Sequence, residues 1–128
     1  MPGTLKVEGT VKDAPTGSNV ENPQTQLDPT ENVSYVEKSN DTYSIPGGGG
    51  SVVVPLVSML TPTNTIKEII LKTDTFILLD FNALGDLPCR KNFRISADPV
   101  NYPANAITSL TITNNTAGTA TVEIFVAG

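Results

Sequence analysis

The segment TATVEIFV (119–126) alternates: Ala120, Val122, Ile124 and Val126 fall on one side, Thr121, Glu123 and Phe125 on the other. A period of two marks a strand with one covered face, because successive side chains of a pleated chain point to opposite sides. The same reading places strands in AITSLTIT (106–113), TFILLDF (75–81), FRIS (93–96) and TIKEIILK (65–72). Ile66, Ile69 and Ile70 would also suit a helical face, but the β-branched content of that run favours a strand. SVVVPLVSML (51–60) is β-rich, and Pro55, which cannot donate to a ladder, assigns it to an edge or a bulge. Thr73-Asp74 predicts a hairpin or tight corner. Asn114-Asn115-Thr116-Ala117-Gly118 joins 106–113 and 119–126 as the clearest pair. Short strands, polar turns and no long amphipathic helix predict an all-β fold, with residues 51–128 as a jelly-roll or β-sandwich body.

The pattern differs in the first part of the chain. APTGSNVENPQTQLDPTEN (14–32) has no aromatic residue, and its larger apolar residues are Val20 and Leu27. Such a stretch cannot offset its own ordering entropy by burial. Two strand-like pieces flank it. In LKVEGTV (5–11), Leu5, Val7 and Val11 alternate with polar residues; in NVSYVE (32–37), Val33 and Tyr35 share a face. Strands without a core of their own must join a sheet elsewhere, including a neighbour's edge. Residues 1–46 are therefore expected to be an extended amino-terminal arm with short strands. Stretched out, such an arm spans on the order of 150 Å. Its expected partner contacts are Leu5, Val7, Val11, Val33, Tyr35 and Val36, and the outward-facing Phe125 of the last strand is the candidate for self-association.

Between arm and body stands YSIPGGGGSVVV (43–54). A phosphate loop needs a lysine after the last glycine and a helix to follow. Here Ser51 and then valines follow, so Gly47–Gly50 are expected to form a hinge. The alternative of an engineered linker fits less well with native-looking sequence on both sides.

Composition narrows the chemistry. The 128 residues suit one domain. Histidine is absent, which removes Ser-His-Asp and Cys-His nucleophilic sites. Cys89, the single cysteine, supplies neither an intrachain disulfide nor a zinc site and is expected to be a buried free thiol. The net charge is −5, with −4 of it in residues 1–50, a poor balance for gripping nucleic acid. The first residues lack the apolar core of a signal peptide, and no apolar run reaches membrane-spanning length. The expectation is a soluble protein made in the cytoplasm, whose sequons at Asn32, Asn40 and Asn114 stay unused.

The remaining motifs are weak. DFNALGD (80–86) resembles the start of a calcium loop, but Leu84 takes a ligand position and Lys91 stands where a bidentate glutamate is needed. A polar corner is expected instead. Asp74, Asp80, Asp86 and Asp98 offer carboxylate pairs, but the absence of tryptophan leaves little aromatic platform for a sugar. No enzyme activity, metal or cofactor is expected. Arg90, Lys91 and Arg94 form the densest basic cluster; a solvated edge is its simplest role, an acidic partner such as another copy's arm the alternative.

The run IKEIILKTDTFILLDFN followed by AITSLTITNNTAGTATVEIFVAG resembles small virion proteins of tailed bacteriophages, in particular the jelly-roll or β-sandwich proteins that decorate capsids as cement. The resemblance covers about residues 65–128 and lies in the order and texture of strands and turns. It implies a structural protein on the outer capsid surface, trimeric at threefold positions, bridging major capsid subunits and without catalysis. The alternative function is a receptor- or glycan-binding module of a phage tail or fibre, with Tyr43 and Tyr102 as its aromatic candidates.

Overall fold

The computed structural model describes residues 2–7, 10–13, 22–26 and 31–128. The fold is all-β, made of several antiparallel sheets, and it divides into two units, Pro2–Tyr35 and Val36–Gly128.

The first unit contains β1 (Gly3–Val7), β2 (Thr10–Asp13), β3 (Asn22–Gln26) and β4 (Glu31–Tyr35). β1 pairs with β4, and β2 with β3, so the pairings nest along the chain. The β2–β3 register shifts between Val11 and Lys12. Leu5 stands opposite Val33, both half-buried, and Gly3 stands opposite Tyr35. A Cβ at Gly3 would lie 2.5 Å from the Tyr35 hydroxyl oxygen, so the tyrosine occupies the space a side chain would need.

The second unit holds β5 (Lys38–Ile45), β6 (Gly50–Val54), β7 (Glu68–Thr73), β8 (Ile77–Phe81), β9 (Asp86–Cys89), β10 (Asn92–Ser96), β11 (Leu110–Asn114) and β12 (Ala120–Ala127). One sheet runs β10-β7-β12-β5, the other β6-β11-β8-β9. Alternation along each strand turns one row of apolar residues to a shared core. Ile69 and Leu71 of β7 and Val122, Ile124 and Val126 of β12 contribute from the first sheet; Leu79 of β8 and Leu110 and Ile112 of β11 contribute from the second. Leu110 lies opposite Val54 on one side and Phe81 on the other, which fixes the register of the second sheet at its centre. A one-residue slip would turn that whole row outward, so the pattern itself holds the register.

Several expectations need correction. Residues 38–45, assigned on sequence to the arm, form β5 and pair with β12 along its full length. Their partner lies some eighty residues downstream, and their polar composition gave no sign of it. The glycines accordingly lie inside the second unit, between β5 and β6, rather than at a joint between 1–46 and 51–128. Gly48 and Gly49 have φ of 76° and 96°, a region that side-chain-bearing residues avoid. The Gly48 N–H donates to Thr116 O and the Gly49 N–H to Asn114 O, both at 2.8 Å. A Cβ at Gly47 would meet Thr116 O at 2.4 Å. The run is a tight turn docked on the β11–β12 loop.

β11 and β12, read as the clearest pair, belong to different sheets; the NNTAG loop crosses from one to the other. β7 and β8 are separated in the same way, so Thr73-Asp74 lies at a corner and not in a hairpin. Residues 56–59 of the β-rich 51–60 run form a single helical turn, α1 (Leu56–Met59), after Pro55 ends the edge strand β6. Of 106–113, only the portion from Leu110 is strand. β9 was not foreseen: DLPC contains a proline and one buried residue, and it sits at a sheet edge where proline is tolerated.

Candidate partner-binding surfaces

The arm contacts expected from sequence do not lie on one surface. Leu5, Val33 and Tyr35 belong to the β1–β4 pair, whereas Val36 belongs to the second unit. There its N–H donates to Gly128 O at 2.9 Å while its side chain stays exposed. Val7 and Val11 lie in β1 and β2 opposite Glu31 and Thr25; their side chains fall outside the described ones. Among the described residues, the buried apolar cluster is drawn from positions 45 to 126 and takes nothing from 2–35. An isolated two-stranded sheet is marginal in water. The described strands of the first unit form two two-stranded sheets.

Phe125 is half-buried on the outward side of β12, opposite Asn40 of β5 and Ile70 of β7. A shallow depression runs here, bordered by Asp41, Thr42, Lys72 and Glu123. An aromatic ring and an isoleucine inside a polar rim make a small apolar contact area on an otherwise hydrophilic sheet face.

The basic cluster is divided: Arg94 lies in β10, and Arg90 and Lys91 lie in the loop before it. Arg94 turns to Glu68, whose fully buried carboxylate accepts from Arg94 Nε at 3.1 Å, from Arg94 Nη2 and from Ser96 Oγ. Arg90 and Lys91 precede β10 and border an open groove with Lys72 of β7, Asp74, Thr121 and Glu123. The Thr73 N–H donates to Lys91 O at 2.8 Å, which ties that loop to the end of β7. The Asp74 carboxylate accepts the Thr121 N–H at 2.8 Å.

Cys89 is buried opposite Ile77. Burial pushes its thiol pKa up, partly opposed by a backbone hydrogen bond at Lys91, so the nucleophilic thiolate is disfavoured. The four aspartates do not gather into one site. Asp80 and Asp86 are cross-strand partners, and Asp80 Oδ1 accepts the Gly85 N–H at 3.1 Å. Asp98 is held by Asn101 and Asp74 by Thr121. No group of three His, Cys, Asp or Glu side chains suited to a metal occurs among the described residues. The N–H groups of Gly48 and Gly49 are already bonded to carbonyls and do not face an anion.

Of the two aromatic candidates for a glycan platform, Tyr102 is 62% exposed while Tyr43 packs against the core. Among the described residues, the buried Tyr43 hydroxyl oxygen meets no partner at full hydrogen-bond geometry. Its pKa is pushed up to about 12, first by burial and then by the nearby Asp41 carboxylate.

Two asparagines escaped sequence reasoning. Asn82 Oδ1 accepts from Thr108 N, Thr108 Oγ1 and Ser109 N, and its Nδ2 donates to Ala106 O, so one side chain positions the 106–109 segment. Asn114 does the same at the opposite loop, bridging β11 to the end of β5. Nothing in their immediate sequence marks them, because their partners are remote or backbone groups. A scan against protein-family models and searches of curated proteins and of solved structures found no match.

Proposed function

We propose that this chain is a structural virion protein: a capsid cement or decoration protein that binds the outer surface of a phage head and bridges major capsid subunits. The observation that carries this reading is the division at Tyr35/Val36. One unit is built of two four-stranded sheets around a buried apolar cluster, and the described strands of the other form two two-stranded sheets. A stable body joined to two-stranded sheets, which are marginal in water, suits a protein that docks on an existing surface. The first unit, Pro2–Tyr35, gains order and contact area there, at an entropic cost met by binding.

The strand order supports a jelly-roll reading of the body. Counting its strands from β5 as first to β12 as eighth, one sheet runs 1-8-3-6 and the other 2-7-4-5. This is the strand order of an eight-stranded double Greek key, and the single buried cluster drawn from both sheets supports their packing as a sandwich. Jelly rolls recur in capsid proteins, an analogy of fold that favours this reading. A cement protein stabilises by binding the assembled shell better than its loose subunits, and multiple copies add avidity.

The test uses heads of the virus that encodes the chain, stripped of it, in a co-sedimentation assay. A variant lacking residues 2–35 is expected to keep a cooperative thermal transition, because the whole described core remains. It is expected to bind heads at least about ten-fold more weakly, a loss of about 1.4 kcal/mol or more. A variant lacking residues 2–46 loses β5 as well and is expected not to fold. Full affinity without residues 2–35 would defeat the clasping role, and no binding by the intact chain would defeat the cement reading.

A further inference from the structure

We propose that the groove lined by Lys72, Arg90 and Lys91 is a self-association surface that takes the acidic amino-terminal region of a second copy of this chain. Three cations border one open groove of about 630 Å³. Two carboxylates share it, but both have local roles. Asp74 accepts the Thr121 N–H, and Glu123 stands directly opposite Lys72 across the β7–β12 ladder. Among the described residues, Arg94–Glu68 is an ion pair while Arg90 and Lys91 form none, and the groove's three cations exceed its two carboxylates by one. The Lys91 carbonyl is bonded to Thr73 N–H, which holds the loop and makes the groove preformed.

The complementary charge is on the same chain. Residues 1–35 carry Lys6 and Lys12 against Glu8, Asp13, Glu21, Asp28 and Glu31, a net −3. The whole chain is −5, so two copies repel on average and attract only where opposite patches meet. Such matching sets orientation and encounter rate more than raw affinity, and it is screened by salt. Arginine adds geometry, since its planar fork grips a carboxylate through two N–H donors. A head-to-tail contact of this kind closes into a ring when the rotation permits.

The experiment is sedimentation velocity on the full chain at 50 and 500 mM NaCl, together with two charge-reversed variants. R90E/K91E reverses the groove, and D13K/E31K reverses the acidic region. The wild type is expected to self-associate at low salt and to dissociate at high salt. Each variant alone is expected to weaken association by about ten-fold or more, as the loss of a few exposed ion pairs implies. Mixed one to one, the two variants are expected to associate again, because their reversed patches match. A wild type that stays monomeric at both salt concentrations would overturn the proposal. So would association indifferent to salt and to R90E/K91E. Circular dichroism checks the fold of each variant, and the salt comparison on the wild type decides the matter even if a variant fails to fold. None of these readouts uses a capsid, so the outcome is separate from that of the shell-binding test.

Discussion

Replacing Asn114 by alanine probes how the two sheets of the body are joined. Asn114 is fully buried at the end of β11. Its Nδ2 donates to Ile45 O at 2.9 Å, in the other sheet, and to Gly118 O at 2.8 Å. Its Oδ1 accepts from Thr116 N at 3.0 Å and Thr116 Oγ1 at 2.6 Å. Its backbone oxygen also accepts the Gly49 N–H, so the glycine turn depends on the same residue. N114A deletes all four side-chain bonds. At about 1 kcal/mol per bond, the expected loss is about 3–4 kcal/mol. That is a large part of the stability of a typical domain, about 5–15 kcal/mol, and corresponds to a melting temperature lower by about 10 °C or more. N114D keeps the shape but replaces a double donor by an oxygen facing two carbonyls. The buried carboxylate is favoured when protonated, so its folded pKa lies above its unfolded one. Its penalty is therefore smallest at low pH and grows as pH rises through the folded pKa. Urea unfolding of wild type, N114A and N114D at pH 4 and pH 7 measures both effects. A loss below about 1 kcal/mol for N114A, or a pH-independent penalty for N114D, would refute this account of the joint.

Three further outcomes are expected. Asn82 and Ala83 both have φ of 55°, and Leu84 N–H bonds to Phe81 O, which makes a primed turn that favours glycine second; A83G should stabilise by about 0.5–1 kcal/mol in denaturant titration. Among the described residues the buried Tyr43 hydroxyl has no partner at full hydrogen-bond geometry, while the nearby Asp41 carboxylate raises its pKa; Y43F should be neutral or raise stability by about 1 kcal/mol, and a clear loss would show that Asp41 holds the hydroxyl. The Glu37 carboxylate is held below its ordinary pKa, first by the Asn64 side chain and then by Thr61. Its contribution is present above the unfolded pKa and lost as pH falls through the folded one, so E37Q should flatten the acid limb of a stability–pH profile.

The body's strands were largely legible because burial is periodic. Ala120, Val122, Ile124 and Val126 point inward as their spacing required, and Cys89 is buried as a lone thiol in an apolar row tends to be. Pro55 marked the end of an edge strand because a missing N–H has a local consequence. β5 was not legible: KSNDTYSI buries only its final isoleucine, and its strand conformation comes from backbone bonds to β12. The roles of Asn82 and Asn114 were hidden for the same reason.

By itself, then, the sequence determined that the fold would be all-β, which residues of its clearly alternating strands face the core, and where its negative charge concentrates. These depend on side-chain chemistry repeated at short range. Only the tertiary structure decided which strands share a sheet, that the four glycines form a docked turn, and that Lys72 joins Arg90 and Lys91 at one groove. Backbone hydrogen bonds are the same for every residue type, so pairing between distant segments leaves almost no mark on the residues that make it.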